Sequence, residues 1–261
     1  IANQISFYVF ELDRLNEAIH VAKRLNIPAK LHLEVETGLH RTGFETSELQ
    51  EVIKILHKNK KWVEIEGVCT HYAGAESISN YFRIQEQIQA FRECCQWLKE
   101  QGISYKMRHS ACSAAALRYP ETHMEMVRFG IAQYGFWPTQ EIRIHCLFQV
   151  DHGLETTKKR VHDPLHRVIS WKSKVMSVKV VARGKFIGYG NAFLTASAQK
   201  IATVPVGYSH GFSRDLSNLG RVLVQGKRIA VIGLVNMNMM MIDASHVPNI
   251  KKGDEVVLIG K

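Results

Sequence analysis

The feature that most constrains this chain is a repeat of strand-like and helix-like stretches through its first 130 residues. Residues 6–10 (Ser-Phe-Tyr-Val-Phe) read as a strand, and 11–25 follow with helical composition, ending near Asn26 and Pro28. Residues 30–35 alternate with a period of two, which marks a second strand. Ser47 and Gln50 form a capping-box pattern ahead of a helix running to about His57. Residues 62–70 read as a third strand. Tyr81, Ile84, Ile88, Phe91, Cys95 and Leu98 recur at spacings of three and four, which predicts an amphipathic helix. Residues 105–108 and 124–128 read as two further short strands. Repeated units of this kind place parallel strands side by side with helical crossovers. About five are expected, whereas a closed (β/α)8 barrel needs eight, so an open sheet edge is expected.

From about Val168 the pattern changes. Short β-rich runs are separated by Gly184-Lys185, Gly226-Lys227 and Gly253-Asp254, which reads as an all-β domain. The expected plan is an α/β portion, a partial barrel, over 1–140, a polar connecting segment over 141–166, and a β-domain over 167–261. With 46% hydrophobic residues the chain can bury a substantial core. No apolar run approaches the ~20 residues of a membrane span. The chain opens at Ile1 without a charged and then apolar leader, so a cytoplasmic protein is expected, and both ends read as cut. Five irregularly spaced cysteines argue against a disulfide framework or a zinc site and for reduced thiols; at least one of Cys94 and Cys95 is expected in the core. The net charge of +10 is scattered, with short clusters at 58–61 and 158–160, and no nucleic-acid motif accompanies it. It reads as a solvated basic surface whose field can help attract anionic ligands.

Four motifs narrow the reading further. They are Glu36-Thr37-Gly38-Leu39-His40-Arg41-Thr42-Gly43; Thr70-His71-Tyr72-Ala73; Val127-Arg128-Phe129-Gly130-Ile131-Ala132-Gln133-Tyr134-Gly135; and Gly188-Tyr189-Gly190, followed by Val204-Pro205-Val206-Gly207-Tyr208. In this order and spacing the chain resembles the alanine racemases, fold-type III pyridoxal-phosphate enzymes, over nearly its whole length. The resemblance implies a (β/α)8 barrel entered at its fourth unit and followed by a β-domain. It also implies a homodimer with shared active sites, and neither a nucleic-acid nor a membrane partner. The family's Schiff-base lysine sits in a pattern like Lys-Ala-Asn-Ala-Tyr-Gly-His-Gly, which this sequence does not contain, and the closing segment with its phosphate-binding tyrosine is also not found.

The resemblance assigns roles residue by residue. Arg128 would face the pyridine nitrogen of pyridoxal phosphate. A guanidinium does not give up its proton near neutral pH, so the ring nitrogen stays unprotonated and the cofactor is a weaker electron sink, suited to proton exchange. Tyr189 would be the catalytic base on one face of the α-carbon. A free phenol has a pKa near ~10 and needs nearby positive charge to act so. His71 would link that tyrosine toward Arg128. Arg41 would bind the cofactor's phenolic oxygen and the substrate carboxylate. Glu34 occupies a position where the family often has a carbamylated lysine and is expected to orient Arg41. Ser113, Gly130 and Ile131 would bind phosphate, within a segment beginning at His109 in which Cys112 replaces a usual asparagine. Met237 would present its backbone N–H to the substrate carboxylate, and Tyr208 would stand at the entrance to the partner's site. Blander alternatives stand beside several of these: a turn tyrosine for Tyr189, a helix N-cap for Ser113, a core aromatic for Tyr208, and a Met-rich core strand for 239–241.

The expected function is therefore PLP-dependent interconversion of L- and D-alanine for cell-wall precursor supply, with the chain alone inactive for want of the lysine. Two other readings stay open: a truncated or degenerate pyridoxal-phosphate-binding protein, and a racemase of another amino acid such as serine.

Overall fold

The computed structural model describes residues 1–149 and 163–260, so half of the expected connecting segment, including the basic cluster 158–160, lies outside the described residues. The chain forms two compact units, Ile1–His166 and Arg167–Lys261.

In the first unit, β1 (Phe7–Val9), β2 (Ala29–Glu34), β3 (Val63–Cys69) and β4 (Met107–His109) form a parallel sheet in that order. Helices α1 (Leu12–Leu25), α2 (Leu49–Lys58) and α3 (Tyr81–Glu100) make the crossovers. Alternation along the strands divides the residues between two faces. Val9, Leu31, Leu33, Val63, Ile65 and Val68 pack with Leu15, Ile19, Val52, Leu56, Phe91 and Leu98 of the helices. Burying each such side chain contributes about 1.5–3 kcal/mol. The opposite face carries the polar row Tyr8, His32, Glu34, Cys69 and His109, brought side by side by the ladder pairs Tyr8↔His32 and Cys69↔His109.

One irregularity sets that row. The β2–β3 register steps from Leu31↔Ile65 to His32↔Gly67, leaving Glu66 as an extra residue in β3. Val63 and Ile65 turn toward the helices before this bulge, and Val68 does so after it. The side-chain phase has moved by one, which puts Gly67 and Cys69 on the polar face.

Three sequence expectations are corrected here. Residues 124–128 form no strand, so the sheet holds four strands among the described residues. Met124 adopts a left-handed φ of 47°, and the N–H of Arg108 on β4 donates to the Glu125 carboxylate at 2.7 Å, not to a neighbouring strand's carbonyl. The segment is tied back instead through Arg128 N–H to the Ala111 carbonyl at 2.9 Å. The Ser47–Gln50 capping box does not form: α2 starts at Leu49 after Glu48, whose carboxylate closes the preceding turn on the Glu45 N–H at 2.9 Å. Ser113 is the first residue of α4 (Ser113–Arg118) and Cys112 its N-cap. The end of α1 follows its sequence signal. Asn26 is left-handed, and Ile27 N–H bonds back to the Ala22 carbonyl just before Pro28. Helices α4 and α5 (Gln140–Gln149) build a second cluster with Tyr72, Ile84, Ala111 and Ile142. Cys95 is buried in the main core.

The second unit is an antiparallel seven-stranded sheet. Its strands are β5 (Trp171–Lys174), β6 (Ser177–Val181), β7 (Gln199–Val204), β8 (Arg221–Val224), β9 (Lys227–Ile232), β10 (Met240–Asp243) and β11 (Glu255–Ile259). They lie in the order β5-β11-β8-β9-β10-β7-β6 around a core of Val204, Val222, Val231, Met240, Ile242 and Val256. The β8–β9 hairpin turns at Gln225 and Gly226, both at positive φ, the two-residue turn that matches strand twist. A smaller cluster of Ile187, Ile201, Ile232 and Met241 stands beside the main core. Among the described residues no helix is long and apolar enough to cross a membrane.

Candidate active site

In the first unit the site residues converge at the C-terminal ends of the parallel strands, where open α/β sheets collect their ligands. Arg128 is the organising group. Its Nη2 donates to the carbonyls of Thr70 (2.7 Å) and Ser110 (3.2 Å), which follow β3 and β4. Its Nη1 donates to the His109 carbonyl at 2.8 Å and also to His109 Nδ1. Nη2 lies 3.5 Å from His71 Nδ1, which is the Arg128 half of the link expected from the sequence.

A guanidinium only donates, so His109 Nδ1 is an acceptor and the ring is neutral with its proton on Nε2. Nε2 lies 2.8 Å from His32 Nδ1, which must then accept, leaving the His32 proton on its own Nε2. Burial, then Arg128 and then His32, hold His109 down to about 3. Burial and Arg128 likewise lower His71 and His32, although Glu66 partly opposes the shift at His32. The positive charge here therefore rests on arginine alone, surrounded by neutral imidazoles. Gly67 makes the histidine pair possible, since a Cβ there would stand 2.3 Å from His32 Nδ1.

A cavity of about 240 Å³ opens beside Arg128, lined by Tyr8, Glu34, Arg41, Cys69, Thr70, His71 and Arg128. Burial raises the Tyr8 phenol against the opposing pull of Arg128 and pushes the Cys69 thiol to about 12, so both stay protonated at neutral pH. Glu34 accepts from Thr42 Oγ1 at 3.0 Å. Among the described residues no ion pair within 4.0 Å joins it to Arg41, although both side chains line the same cavity. The loop carrying Arg41 is shaped by Glu36, whose carboxylate accepts the N–H groups of Gly38, Leu39 (2.7 Å) and His40 (2.8 Å). Tyr8, His32, Gly67 and Cys69 were not singled out as site residues in the sequence, and Thr70 appeared there only as the first residue of a motif. The alternation over 30–35 does place His32 on the same face as Glu34, and that was the available signal.

Ser113 is buried, and its Oγ accepts the N–H groups of Gly130 (2.9 Å) and Ala132 (3.3 Å). This brings two of the three expected phosphate-binding residues into contact. Ile131 follows Gly130 at the start of a short 3-10 turn and is half exposed.

In the second unit Tyr189 is 72% exposed, between glycines at φ 72° and 71°. Tyr208 and Met237 lie on adjoining loops. Tyr208 N–H donates to the Asn236 carbonyl (3.0 Å), and Ser209 N–H donates to the Met237 carbonyl (2.9 Å). A Cβ on Gly207 would stand 2.1 Å from the Asn236 oxygen, so only glycine lets the two loops close. Tyr208 and Met237 are 44% and 57% exposed, whereas Met240 and Met241 are buried in β10.

Known proteins share this organisation. Residues 1–138 match the family model described as alanine racemase, N-terminal domain, and residues 168–261 match alanine racemase, C-terminal domain. An alanine racemase of Leptospira interrogans is 36% identical over 90% of this chain and 58% of its own length. One from Syntrophobacter fumaroxidans is 35% identical over 100% of this chain and 64% of its own. Among solved structures, the alanine racemase of D-cycloserine-producing Streptomyces lavendulae aligns over the whole chain and 64% of its own, with a TM-score of 0.87 and 28% identity. That of Bacillus anthracis with bound L-Ala-P aligns with a TM-score of 0.81 and 33% identity, over 62% of its own length. The chain thus spans under two thirds of the length of these relatives.

Proposed function

Because this chain belongs to the alanine racemase family, we propose that it supplies the noncovalent part of a site that interconverts L- and D-alanine on pyridoxal phosphate. The observation that carries the reading is Arg128. Its guanidinium is held by three backbone carbonyls and His109, at a cavity that Arg41 and His71 also line.

The donor set suits pyridoxal phosphate. Two arginines offer charge to its anionic groups. Ser113 Oγ has its acceptor sites filled by Gly130 and Ala132, which leaves its hydroxyl proton free to donate to a phosphate oxygen alongside the Gly130–Ile131 turn. When bound, pyridoxal phosphate supplies an electron sink for the amino acid's α-carbon. Arg128 would hold the pyridine nitrogen without protonating it, which favours proton exchange over elimination or transamination. His71, neutral beside Arg128, would pass that positive influence toward a tyrosine. Arg41 would clasp the substrate carboxylate, with the Met237 N–H as a second donor. Tyr189 would take or return the α-proton on one face, reaching the site of a second copy of the chain, with Tyr208 at its entrance.

No lysine is among the residues lining the cavity, so the base for the other face is not among them. Alanine, rather than a larger amino acid, is supported by the activity named for the relatives. Supply of D-alanine to the cell wall, a cytoplasmic location, a homodimer and the division 1–140, 141–166 and 167–261 complete the proposal.

Polarimetry of L-alanine with added pyridoxal phosphate tests it, using the chain alone and mixed with a lysine-bearing barrel segment from a relative. Racemisation is expected only in the mixture, and Tyr189→Phe or Arg128→Ala should lower it by at least about a hundredfold. A mixture that binds the cofactor yet leaves L-alanine unchanged overturns the reading.

A further inference from the structure

Tyr189 makes none of the hydrogen bonds seen among the described residues, so the backbone beneath it must hold its ring in place. That backbone is a tight loop with positive φ at Gly188, Gly190 and Asn191, closed by Ile187 N–H on the Phe193 carbonyl at 2.9 Å. One flank rests on β10 and the β9–β10 loop. A Cβ on Gly188 would meet Met241 Cε at 2.6 Å, one on Gly190 would meet Leu234 at 3.1 Å, and one on Gly233 would meet the Ile187 oxygen at 2.8 Å.

The other flank is held by Asn218. Its Nδ2 donates to the Ala192 carbonyl at 3.0 Å, and its Oδ1 accepts from Gly233 N–H at 2.7 Å. Among the described residues this is the only side-chain hydrogen bond onto residues 188–192. The neighbouring Ser217 Oγ accepts Val235 N–H at 3.0 Å, fixing the same β9–β10 loop that carries Met237. Asn218 itself sits at φ 58°, a conformation that asparagine and glycine tolerate and most residues do not.

We infer that Asn218 is a positioning residue for Tyr189. By bonding both the loop that carries the tyrosine and the loop that carries Met237, it fixes how far the phenol stands from the place where Met237 presents its backbone. Asn218 does not itself touch the amino acid. The inference rests on the reading of Tyr189 as a base.

Two variants separate the possibilities. Asn218→Gly keeps the left-handed backbone and removes both bonds; Asn218→Asp keeps the acceptor for Gly233 and loses only the donor. In the chain itself, amide exchange at Gly233 should speed at least about tenfold in Asn218→Gly and change little in Asn218→Asp. Nuclear magnetic resonance of labelled tyrosine should show the Tyr189 ring changing its order in Asn218→Gly while the other rings do not. In the cofactor-loaded mixture with the lysine-bearing segment, kcat should fall about tenfold or more in both Asn218→Gly and Asn218→Asp with KM within about twofold, because both variants lose the donor to the Ala192 carbonyl. The pH profile should keep its shape, since placement changes and acidity does not.

An unchanged Tyr189 ring in Asn218→Gly overturns the inference. So does full kcat in Asn218→Gly while Tyr189→Phe is inactive. Full activity in Tyr189→Phe overturns instead the reading of the tyrosine, and the inference with it; the ring and exchange measurements then still report whether the staple exists.

Discussion

Arg128 is bonded twice to one residue: its Nη1 donates to both the ring Nδ1 and the backbone carbonyl of His109. The carbonyl anchors the guanidinium at the end of β4, and the bond to the ring nitrogen forces the imidazole to remain an acceptor. One residue thus fixes both the position of the charge and the absence of a second charge beside it.

The first expected outcome concerns acid stability. Folded His109 takes a proton only near pH 3, whereas an unfolded histidine does so near 6.5. Between those values the unfolded chain binds more protons, so stability is complete above about 6.5 and falls as pH drops. Lowering the pH from about 7.5 to 5 should remove about 2 kcal/mol. His32 and His71, also lowered, act in the same direction. Glu125, held near 2 chiefly by Arg108, titrates below this window. Urea titrations across pH 5–7 measure the slope, and His109→Gln should flatten it. A slope unchanged by that substitution would refute the assignment.

Gly67→Ala should be costly beyond its size. The new methyl meets His32 Nδ1, the atom that accepts from His109. Overpacking adds about 1–3 kcal/mol, and the lost hydrogen bond about 0.5–1.5 kcal/mol. Combining Gly67→Ala with His32→Ala should cost less than the two single changes summed, because the clash has no partner in the double variant. Strict additivity in a denaturation cycle would count against the contact.

At Gly207 the obstacle is backbone rather than a flexible side chain. Gly207→Ala drives a methyl into the Asn236 carbonyl, so the loops bearing Tyr208 and Met237 must part. A loss of about 2 kcal/mol or more is expected, with faster amide exchange at Tyr208 and Ser209, whose N–H groups bond across that junction. Protection at those two amides equal to the parent chain would contradict it.

Ser113→Ala separates structure from ligand binding. Removing the hydroxyl strands the Gly130 and Ala132 N–H groups and should cost about 1–3 kcal/mol. If the hydroxyl also serves a phosphate, affinity for pyridoxal phosphate should fall more than affinity for pyridoxal, which lacks that group. Fluorescence titration with both ligands gives the ratio, and equal losses would remove Ser113 from the proposed phosphate site.

Much of the first unit was legible because parallel strands and their crossovers leave periodic hydrophobic signals, as residues 30–35 and the Tyr81–Leu98 spacing did. What stayed hidden depends on pairing between distant strands. Nothing local says that Gly67 faces His32, because that follows from a register step at Glu66. The strand expected at 124–128 failed for a similar reason: its composition suits a strand, but the Arg108 N–H on β4 donates to the Glu125 carboxylate, not to a neighbouring strand's carbonyl. Arg128, His71 and Arg41 were readable from motif context, and the cavity they line adds Tyr8 and Cys69 through sheet geometry alone. The orienting role of Glu34 toward Arg41 came from the family resemblance, and its bond to Thr42 is a detail of the folded loop that the motif does not announce.

The surplus residue at Glu66 makes this region more sensitive to chain length than to side-chain identity. Replacing Glu66 would disturb its bonds to Ser6 and Lys106 at the rim. Deleting it would turn the rest of β3 by half a rotation, sending Cys69 toward the helices and delivering Val68 to the cavity. Divergence at this point can freely exchange letters, but a one-residue indel would invert the strand's inside and outside.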